Sequence, residues 1–292
     1  MLSPAAEPDR ISVVVITRDR REAVLDTLPR LLALPEHPRV VLVDNASSDS
    51  TAVEVRRRHP EVDVVVLKEN LGAAARTVGV RRTSTPYVAF SDDDSWWDPG
   101  ALRSAGEVLD RVPRLGVLAG RALVGTEGRL DPVCAQMQRS LLGAVPGAGP
   151  LVLGFVACGA VVRVSAYLDV KGFHPRYGVG GEEALLTIDL TERGWECAYV
   201  DTVVARHHPS PLRDPASRRA REVRNALWTS WLRRPASSAA AATLRSAASL
   251  GGDTAVRTGL RQALGGWRWV LQEREPVTAG TEHRLRLLER EG

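Results

Sequence analysis

The sequence predicts an α/β protein with an open, doubly wound, mostly parallel sheet, followed by a helical extension. Short β-branched runs alternate with stretches of helical spacing from residue 11 to about residue 208, which favours a parallel sheet covered by helices on both faces. Polar clusters follow several of the strands, at the edge where such sheets bind ligands. Beyond residue 211 the spacing is helical. We therefore place a sheet domain at residues 1–210 and a helical extension at residues 211–292.

Strands and helices alternate regularly in the N-terminal part of the chain. The strands are predicted at 11–16, 40–43, 62–67 and 87–91, and the helices at 22–34, 52–58 and 73–82. The strands are rich in Val and contain few polar residues, as expected for strands that are buried on both faces of a sheet. The helices carry apolar residues at helical spacing, and Pro35 ends the first of them.

The spacing is less regular after residue 98. We predict helices at 99–112, 165–170 and 182–193, and strands at 115–119, 152–156, 160–164, 197–200 and 203–208. Residues 127–150 are rich in Gly and Pro, which predicts a surface loop that covers the site. The extension is predicted as helices at 215–232, 236–250, 254–272 and 281–291, separated by Pro235 and by Gly251 and Gly252.

Charge and cysteine content narrow the class of protein. From Asp201 to the end, 16 Arg accompany 9 acidic residues, so a basic tail of net charge +7 follows a body of net charge −3. This pattern permits contact with phosphates or an anionic membrane surface, and we expect no nucleic-acid partner. Three cysteines without CxxC spacing fit a reducing, cytoplasmic compartment. No signal pattern or membrane span is evident in the sequence.

Three consecutive carboxylates, Asp92, Asp93 and Asp94, follow the fourth predicted strand. Adjacent carboxylates repel one another, so the cluster is costly without a compensating cation. Oxygen ligands suit Mg²⁺ or Mn²⁺, which bind proteins through one or two carboxylates together with substrate phosphates. The triplet alone is equally compatible with a solvated acidic turn that caps the next helix.

Several further motifs follow the strands in a fixed order. They are Thr17-Arg18, the Val-Asp-Asn-x-Ser-x-Asp run at 43–49, the Asn-x-Gly-x-x-x-Arg run at 70–76, the acidic triplet, the Gly-Gly-Glu-Glu run at 180–183, and His207-His208. Each motif alone is weak, but the ordered set resembles the family 2 glycosyltransferases with the GT-A fold. The resemblance covers roughly residues 10 to 210.

The resemblance implies an enzyme that transfers a sugar from a nucleoside-diphosphate sugar to an acceptor hydroxyl, with inversion and with the help of Mn²⁺ or Mg²⁺. The residues it places around the nucleotide-sugar are Thr17, Arg18, Asp44, Asn45, Arg76, Asp92 and Asp93. It assigns the metal to Asp94 together with His207 or His208. It places the catalytic base at Glu183 or Glu182, because a Glu occupies the position where this family usually has Asp.

Some assignments stay open at the level of sequence. Trp96 and Trp97 are predicted to stack on the acceptor sugar, although Trp is equally common in protein cores. The acceptor is expected to be a small molecule, a glycan or a lipid-linked compound. The basic tail is a candidate for peripheral contact with the inner face of a membrane. Arg213, Arg218 and Arg219 are expected to form a solvated basic face, with binding of an anionic acceptor or a lipid head group as the alternative. The oligomeric state is left open.

Two alternative functions use the same features. A nucleotidyltransferase would need the same nucleotide and metal site, but the Gly-Gly-Glu-Glu run argues against it. A nucleotide-sugar or glycan-binding protein without turnover would keep the fold and lose the base. A dinucleotide-dependent dehydrogenase is disfavoured, since no GxGxxG follows the first strand.

Overall fold

A computed structural model of the chain describes residues 10–209, 215–249 and 253–290. A nine-stranded sheet with the order β3-β2-β1-β4-β10-β6-β11-β5 forms its centre, and β7 pairs with β6. The strands are β1 (Ile11–Thr17), β2 (Val40–Asp44), β3 (Asp63–Val66), β4 (Tyr87–Asp92), β5 (Ser95–Trp97), β6 (Leu115–Val124), β7 (Arg129–Leu130), β10 (Ala160–Arg163) and β11 (Glu196–His207), while β8 (Ala144–Val145) and β9 (Gly149–Pro150) form a separate hairpin.

Twelve helices accompany these strands in the described residues. They are α1 (Arg21–Leu32), α2 (Thr51–Arg58), α3 (Ala75–Arg82), α4 (Ala101–Arg111), α5 (Pro132–Gln138), α6 (Val164–Asp169), α7 (Glu183–Glu192), α8 (Pro215–Arg233), α9 (Ala236–Ala248), α10 (Thr254–Gly265), α11 (Trp267–Glu273) and α12 (Ala279–Leu288). The first four strands pair in parallel, whereas β10 runs antiparallel between β4 and β6. The predicted doubly wound, mostly parallel sheet is confirmed.

Alternate residues of the central strands feed two separate cores. Val13 and Val15 of β1 pack against α1, α2 and α4 on one face of the sheet, while Val14 and Ile16 pack against α3, α6 and α7 on the other. Every residue of β1 is buried as a result. The run of β-branched residues in β1 therefore reflects a strand that has helices on both sides.

The predicted loop at 127–150 is wrong in two respects. It contains α5, in which Pro132 occupies the first helical position. The carboxylate of the preceding Asp131 caps the helix by accepting a hydrogen bond from Val133 N. Cys134 and Met137 are buried in the core, so the segment is packed rather than mobile. None of its described residues lines the large cavity at the sheet edge.

Three other boundaries differ from the prediction. The two last predicted strands are one strand, β11, with an irregular register between Val200 and Val204. Residues 152–156 form no strand, and Val152 N only donates to Cys197 O at 2.9 Å. The predicted helix at 254–272 breaks into α10 and α11 at Gly266, where a Cβ would meet the ring of Trp228 at 2.8 Å.

The helical extension packs against the sheet domain through its own small core. Trp228 and Leu227 of α8 and Trp269 of α11 pack with Tyr177 and Leu185 of the sheet domain. The predicted domain boundary between residues 210 and 211 lies outside the described residues. Within the described ranges, no helix is both long enough and apolar enough to span a lipid bilayer.

Gly79 tests how closely α3 packs on the sheet. A Cβ at Gly79 would overlap Val14 Cγ1 and lie 3.1 Å from Val43 Cγ2. We expect Gly79→Ala to lower the free energy of unfolding, because overpacking costs about 1–3 kcal/mol and outweighs the gain of about 1 kcal/mol in helix propensity. Urea denaturation followed by circular dichroism measures the change.

Gly106→Ala in α4 is the matched control. Its Cβ would meet only Ile11 Cδ1, at an ordinary 3.7 Å, so the substitution should leave the stability unchanged or raise it by up to about 1 kcal/mol. A Gly79→Ala protein at least as stable as Gly106→Ala would show that α3 does not pack as described.

Candidate active site

The carboxyl ends of the parallel strands open onto one large cavity. The register pairs Thr17 of β1 with Asp44 of β2, and Ile16 with Asp92 of β4, so the residues that end these strands lie side by side. The cavity has a volume of about 830 Å³. Residues of the sheet edge, the glycine-rich loop before α7 and helix α8 line it, and they include Thr17, Arg18, Arg20, Asn45, Arg76, Asp92, Asp93, Cys158, Glu182, Glu183, His207 and Arg221.

The acidic triplet is neutralised mainly by arginines. The Asp92 carboxylate pairs with the buried guanidinium of Arg76 from α3. Arg20 Nη2 lies 3.0 Å from Asp94 Oδ2 and 3.3 Å from Asp93 Oδ1. Thr17 Oγ1 donates to Asp93 Oδ2 at 3.0 Å. The triplet is therefore part of a buried charge network rather than a solvated turn.

Arg20 was not predicted from the sequence as a site residue. It directly precedes α1, 74 positions before Asp94, so only the folded sheet brings the two side chains together. Burial raises the pKa of Asp93 to about 7; the charge of Arg20 opposes this shift, and the charges of Asp94 and Asp92 add to it. The negative charges of the triplet therefore repel one another in a poorly solvated site, and a bound cation would offset this repulsion.

His207 faces the triplet from the end of β11. Its Nε2 lies 3.4 Å from Asp94 Oδ1, and the antiparallel pairing of β11 with β5 places His207 opposite Ser95. Burial alone would lower the pKa of His207, but hydrogen bonds to Asp94 and to Cys158 outweigh burial and raise the pKa to about 10. An imidazole held this way is a cation in the absence of metal and a ligand in its presence.

The same side chains have the chemistry of a divalent metal site. Ligand atoms of Asp92, Cys158 and His207 lie within 4.8 Å of one another, and Asp94 adjoins His207. The carboxylates of Asp92 and Asp94 suit Mn²⁺ and Mg²⁺, and the His207 imidazole suits Mn²⁺ better than Mg²⁺, so these three residues fit a metal of this kind, whereas a thiol is a softer ligand. The Cys158 thiol was not predicted; burial raises its pKa, which keeps it protonated unless a metal binds.

The loops after β1 and β2 form another part of the cavity wall, next to the triplet. Thr17, Arg18 and Asn45 line it, as the sequence predicts for residues around a nucleotide. Asn45 Nδ2 donates to Gly72 O at 3.1 Å, and Asn45 Oδ1 accepts from Leu71 N at 3.0 Å, so Asn45 ties the loop before α3 to the sheet edge.

Asp44 has a structural contact that the sequence left open. Its Oδ1 accepts a hydrogen bond from Ser47 N at 2.8 Å, and the side chain is 2% exposed. It does not line the cavity, whereas the neighbouring Asn45 does. The turn role is therefore present in the structure, and the contact of Asp44 with a nucleotide stays a prediction.

The two glutamates before α7 differ in their surroundings. Glu182 is 2% exposed, and its carboxylate accepts a hydrogen bond from Gly180 N. Glu183, the first residue of α7, is partly exposed to the cavity. Desolvation of the carboxyl group, followed by the charge of Glu182, raises the pKa of Glu183 to about 8. Glu183 therefore has both the access and the basicity of a group that takes a proton near neutral pH.

The extension holds the loop that carries these glutamates. Asn225 of α8 is fully buried, and its Nδ2 donates to Tyr177 O at 3.0 Å and to Gly180 O at 2.7 Å. Gly180 and Gly181 adopt positive φ angles of 121° and 79°, a conformation that glycine accommodates with little strain. Sequence reasoning missed Asn225, because nothing in α8 itself marks the residue as different from other polar positions.

Comparison with known proteins decides the family. Residues 12–167, more than half of the chain, match the family described as Glycosyl transferase family 2. The chain belongs to glycosyl transferase family 2. This confirms the resemblance found in the motifs, and it identifies the protein as a glycosyltransferase. Asp92 and Asp93 of the acidic triplet line its cavity together with the glutamate pair.

Individual relatives agree with this assignment. The N-acetylglucosaminyl-diphospho-decaprenol L-rhamnosyltransferase of Mycobacterium tuberculosis is 28% identical over 247 residues, covering 72% of this chain and 80% of the relative. The mannosyltransferase PcManGT of Pyrobaculum calidifontis, solved with GDP-Man and Mn²⁺, has a TM-score of 0.55 at 19% identity over 97% of this chain and 86% of its own. S. aureus TarS 1-349, solved with UDP-GlcNAc, has a TM-score of 0.57 at 18% identity over 75% and 66% of the two chains.

Five predicted site residues do not line the cavity of the glycosyltransferase: Asp44, Asp94, Trp96, Trp97 and His208. Trp97 is 1% exposed and belongs to the core, so the prediction that it stacks on an acceptor is wrong. The ring of His208 lies 4.6 Å from the ring of Trp96, whereas His207 Nε2 lies 3.4 Å from Asp94 Oδ1, so His207 is the member of the pair that faces the carboxylates. Trp96 is partly exposed beneath Arg30, outside the cavity lining, which does not support its acceptor role.

Asn225→Ala tests whether α8 positions the glutamate loop. The substitution leaves Gly180 O without its hydrogen bond from Asn225, at a cost of about 1–3 kcal/mol, and lets Glu183 shift. We expect kcat for sugar transfer to fall about 10-fold or more, because small misplacements of reacting groups are expensive, while the KM for the donor changes little.

Gln262→Ala is the control, because it removes an amide side chain from an exposed position of α10 in the same extension. It should leave kcat and the thermal unfolding temperature unchanged. Equal kcat values for Asn225→Ala and wild type would contradict the positioning role.

Proposed function

We propose that this glycosyltransferase transfers a sugar from a nucleoside-diphosphate sugar to an acceptor hydroxyl, with inversion and with the help of a divalent metal. The observation that carries the proposal is the shared cavity, which Asp92 and His207 line together with Glu183. A site for a departing diphosphate thus lies in the same space as a base for the attacking hydroxyl. Relatives solved with UDP-GlcNAc and with GDP-Man support a donor of this class.

The donor is proposed to lie along the sheet edge. Thr17, Arg18 and Asn45 would surround the nucleotide. Arg76 fixes the position of the Asp92 carboxylate through their ion pair. Asp94 and His207, with Asp92 beside them, would hold Mn²⁺ or Mg²⁺. When bound there, the ion would supply Lewis-acid neutralisation of the charge on the leaving diphosphate. Arg20, which contacts Asp94, and Arg76, which pairs with Asp92, would add to this effect, and Arg18 lines the same cavity.

The transfer itself needs one base. The Glu183 carboxylate accepts the proton of the acceptor hydroxyl as its oxygen forms a bond to the anomeric carbon. The bond from that carbon to the diphosphate breaks, and the electron pair leaves with the diphosphate. Because the hydroxyl enters opposite the leaving group in a single displacement, the configuration at the anomeric carbon inverts. The raised pKa of Glu183 matches this role better than an ordinary carboxylate would.

The acceptor and the location belong to the same proposal. The rhamnosyltransferase relative is named for a lipid-linked acceptor, and the chain covers 80% of its length, which supports a lipid-linked acceptor in this case too. We propose a cytoplasmic location, at the inner face of the membrane. A thermal-shift screen of nucleoside diphosphates with Mn²⁺ would identify the donor nucleotide, since a ligand that binds only the folded state raises its unfolding temperature.

Glu183→Gln separates an enzyme from a protein that only binds nucleotide-sugar. We expect the rate of transfer to fall about 10²–10⁴-fold, the usual contribution of a general base, while the Kd for the donor nucleotide stays unchanged. Release of nucleoside diphosphate measures the first quantity, and calorimetric titration measures the second. Glu107→Gln, at an exposed position of α4, is the control and should match wild type. Full activity of Glu183→Gln would show that Glu183 is not the base.

The pH dependence gives an independent test of the glutamate pair. Glu183 acts when deprotonated, and its pKa is raised to about 8, so kcat/KM should rise with pH below about 8 and level off above. Glu182→Gln removes the neighbouring charge while its amide oxygen still accepts from Gly180 N. The pKa of Glu183 should therefore fall, and the rising limb should move to lower pH. A limb that stays in place in Glu182→Gln would contradict the coupling.

A further inference from the structure

Helix α8 presents a row of arginines to the cavity. Arg218, Arg221 and Arg224 line it, and their spacing of three residues places them on one face of the helix. Arg219 lies on another face, where its Nε contacts Asp253 Oδ2 at 2.9 Å. Of the three arginines predicted to form a basic face, Arg218 therefore lines the cavity and Arg219 lies on another face of α8. Arg213 lies outside the described residues.

The three arginines differ in how far their donors are already used. Arg218 Nε contacts Glu222 Oε1 at 2.9 Å. Arg224 Nη2 donates to Tyr177 O at 2.5 Å, Nε donates to Asn225 Oδ1 at 3.0 Å, and the guanidinium lies over the Trp228 ring. The Nε of Arg221 is buried without a hydrogen-bond partner among the described residues. Arg221 therefore has donors available for a ligand.

Arg221 and Arg224 also repel each other. They lie about one helical turn apart on α8 and line the same cavity. Burial, and then the charge of Arg221, lowers the pKa of Arg224. Two like charges that share a recess favour an anion between them, and guanidinium groups bind phosphate with two parallel hydrogen bonds.

The position of the row indicates which substrate carries the anion. The donor diphosphate is proposed to lie at the acidic triplet, which Arg20 and His207 adjoin. The arginine row instead lies beside the loop that carries the base, because Asn225 of α8 donates to Gly180 O at 2.7 Å and a Cβ at Gly180 would lie 3.9 Å from Arg218 Cγ. Because a base must contact the acceptor hydroxyl, groups around Glu183 contact the acceptor.

We infer that Arg221 and Arg224 bind a phosphate or diphosphate group of the acceptor substrate. This inference rests on the proposed function, since it takes Glu183 as the base and the triplet as the donor site. The row would hold the acceptor by its charged group and turn its sugar hydroxyl toward Glu183. A neutral glycan acceptor would leave the two guanidiniums without an anion.

The test uses the whole protein saturated with Mg²⁺ and with the nucleoside diphosphate found in the thermal-shift screen, so that the donor site is filled. Calorimetric titration with geranyl diphosphate, inorganic pyrophosphate and geraniol then separates a lipid-borne diphosphate, a free one and the lipid alone. We expect geranyl diphosphate to bind at least about 10-fold more tightly than geraniol. If pyrophosphate binds as tightly as geranyl diphosphate, the diphosphate group alone is the ligand. If only geranyl diphosphate binds, the ligand is a lipid-linked diphosphate.

Arg221→Gln should weaken geranyl diphosphate binding about 10-fold or more, the usual effect of losing a charged hydrogen bond, and leave the Kd for the nucleoside diphosphate unchanged. Arg221→Lys, which keeps the charge and loses the planar fork, should retain part of the affinity. Arg219→Gln removes the same charge from the opposite face of α8 and is the matched control, so it should bind geranyl diphosphate as wild type does.

Three results would overturn the inference. They are equal binding of geranyl diphosphate and geraniol, equal binding by Arg221→Gln and Arg219→Gln, or a loss of nucleoside diphosphate binding in Arg221→Gln that would assign the residue to the donor. A wild-type protein that binds no nucleoside diphosphate would instead refute the proposed function, and the inference with it. The two failures are distinguishable because the nucleotide titration precedes the geranyl titrations.

Discussion

The rest of the structure depends on three adjacent carboxylates at the sheet edge, two of which are buried. Asp93 and Asp94 are 8% and 6% exposed, and carboxylates in such surroundings are costly unless cations compensate for them. The chain supplies Arg20 from the start of α1, Arg76 from α3 and His207 from the end of β11. Each of these comes from a different part of the fold, so the charge network also ties those parts together.

The remaining elements serve this edge by positioning. Asn45 holds the loop before α3, and α3 itself packs on β1 through Gly79, so the guanidinium of Arg76 arrives beneath Asp92. On the other side of the cavity, Asn225 holds the glycine-rich loop from below. The helical extension therefore forms part of the cavity wall, to which α8 contributes Arg218, Arg221 and Arg224.

Sequence reasoning predicted what is encoded locally. Strand ends, the acidic triplet and the Gly-Gly-Glu-Glu run are recognisable from a few adjacent residues. The structure brings Asp92, Asp93 and both glutamates to one cavity, with Asp94 behind the lining, where it contacts His207. Arg20 and Asn225 were missed because their partners lie far away in the chain, at Asp94 and Gly180. Trp97 was misjudged because a tryptophan beside a site has the same sequence pattern whether it faces the ligand or the core.

We propose that the triplet and His207 hold the donor diphosphate and its metal within reach of Glu183. Crystals grown with Mn²⁺ and the donor sugar nucleotide test it directly through the anomalous scattering of manganese. We expect one strong peak between Asp94 and His207, in contact with the diphosphate, and the anomeric carbon of the donor turned toward the Glu183 carboxylate. A peak elsewhere in the molecule, or a donor whose sugar lies away from both glutamates, would contradict the account.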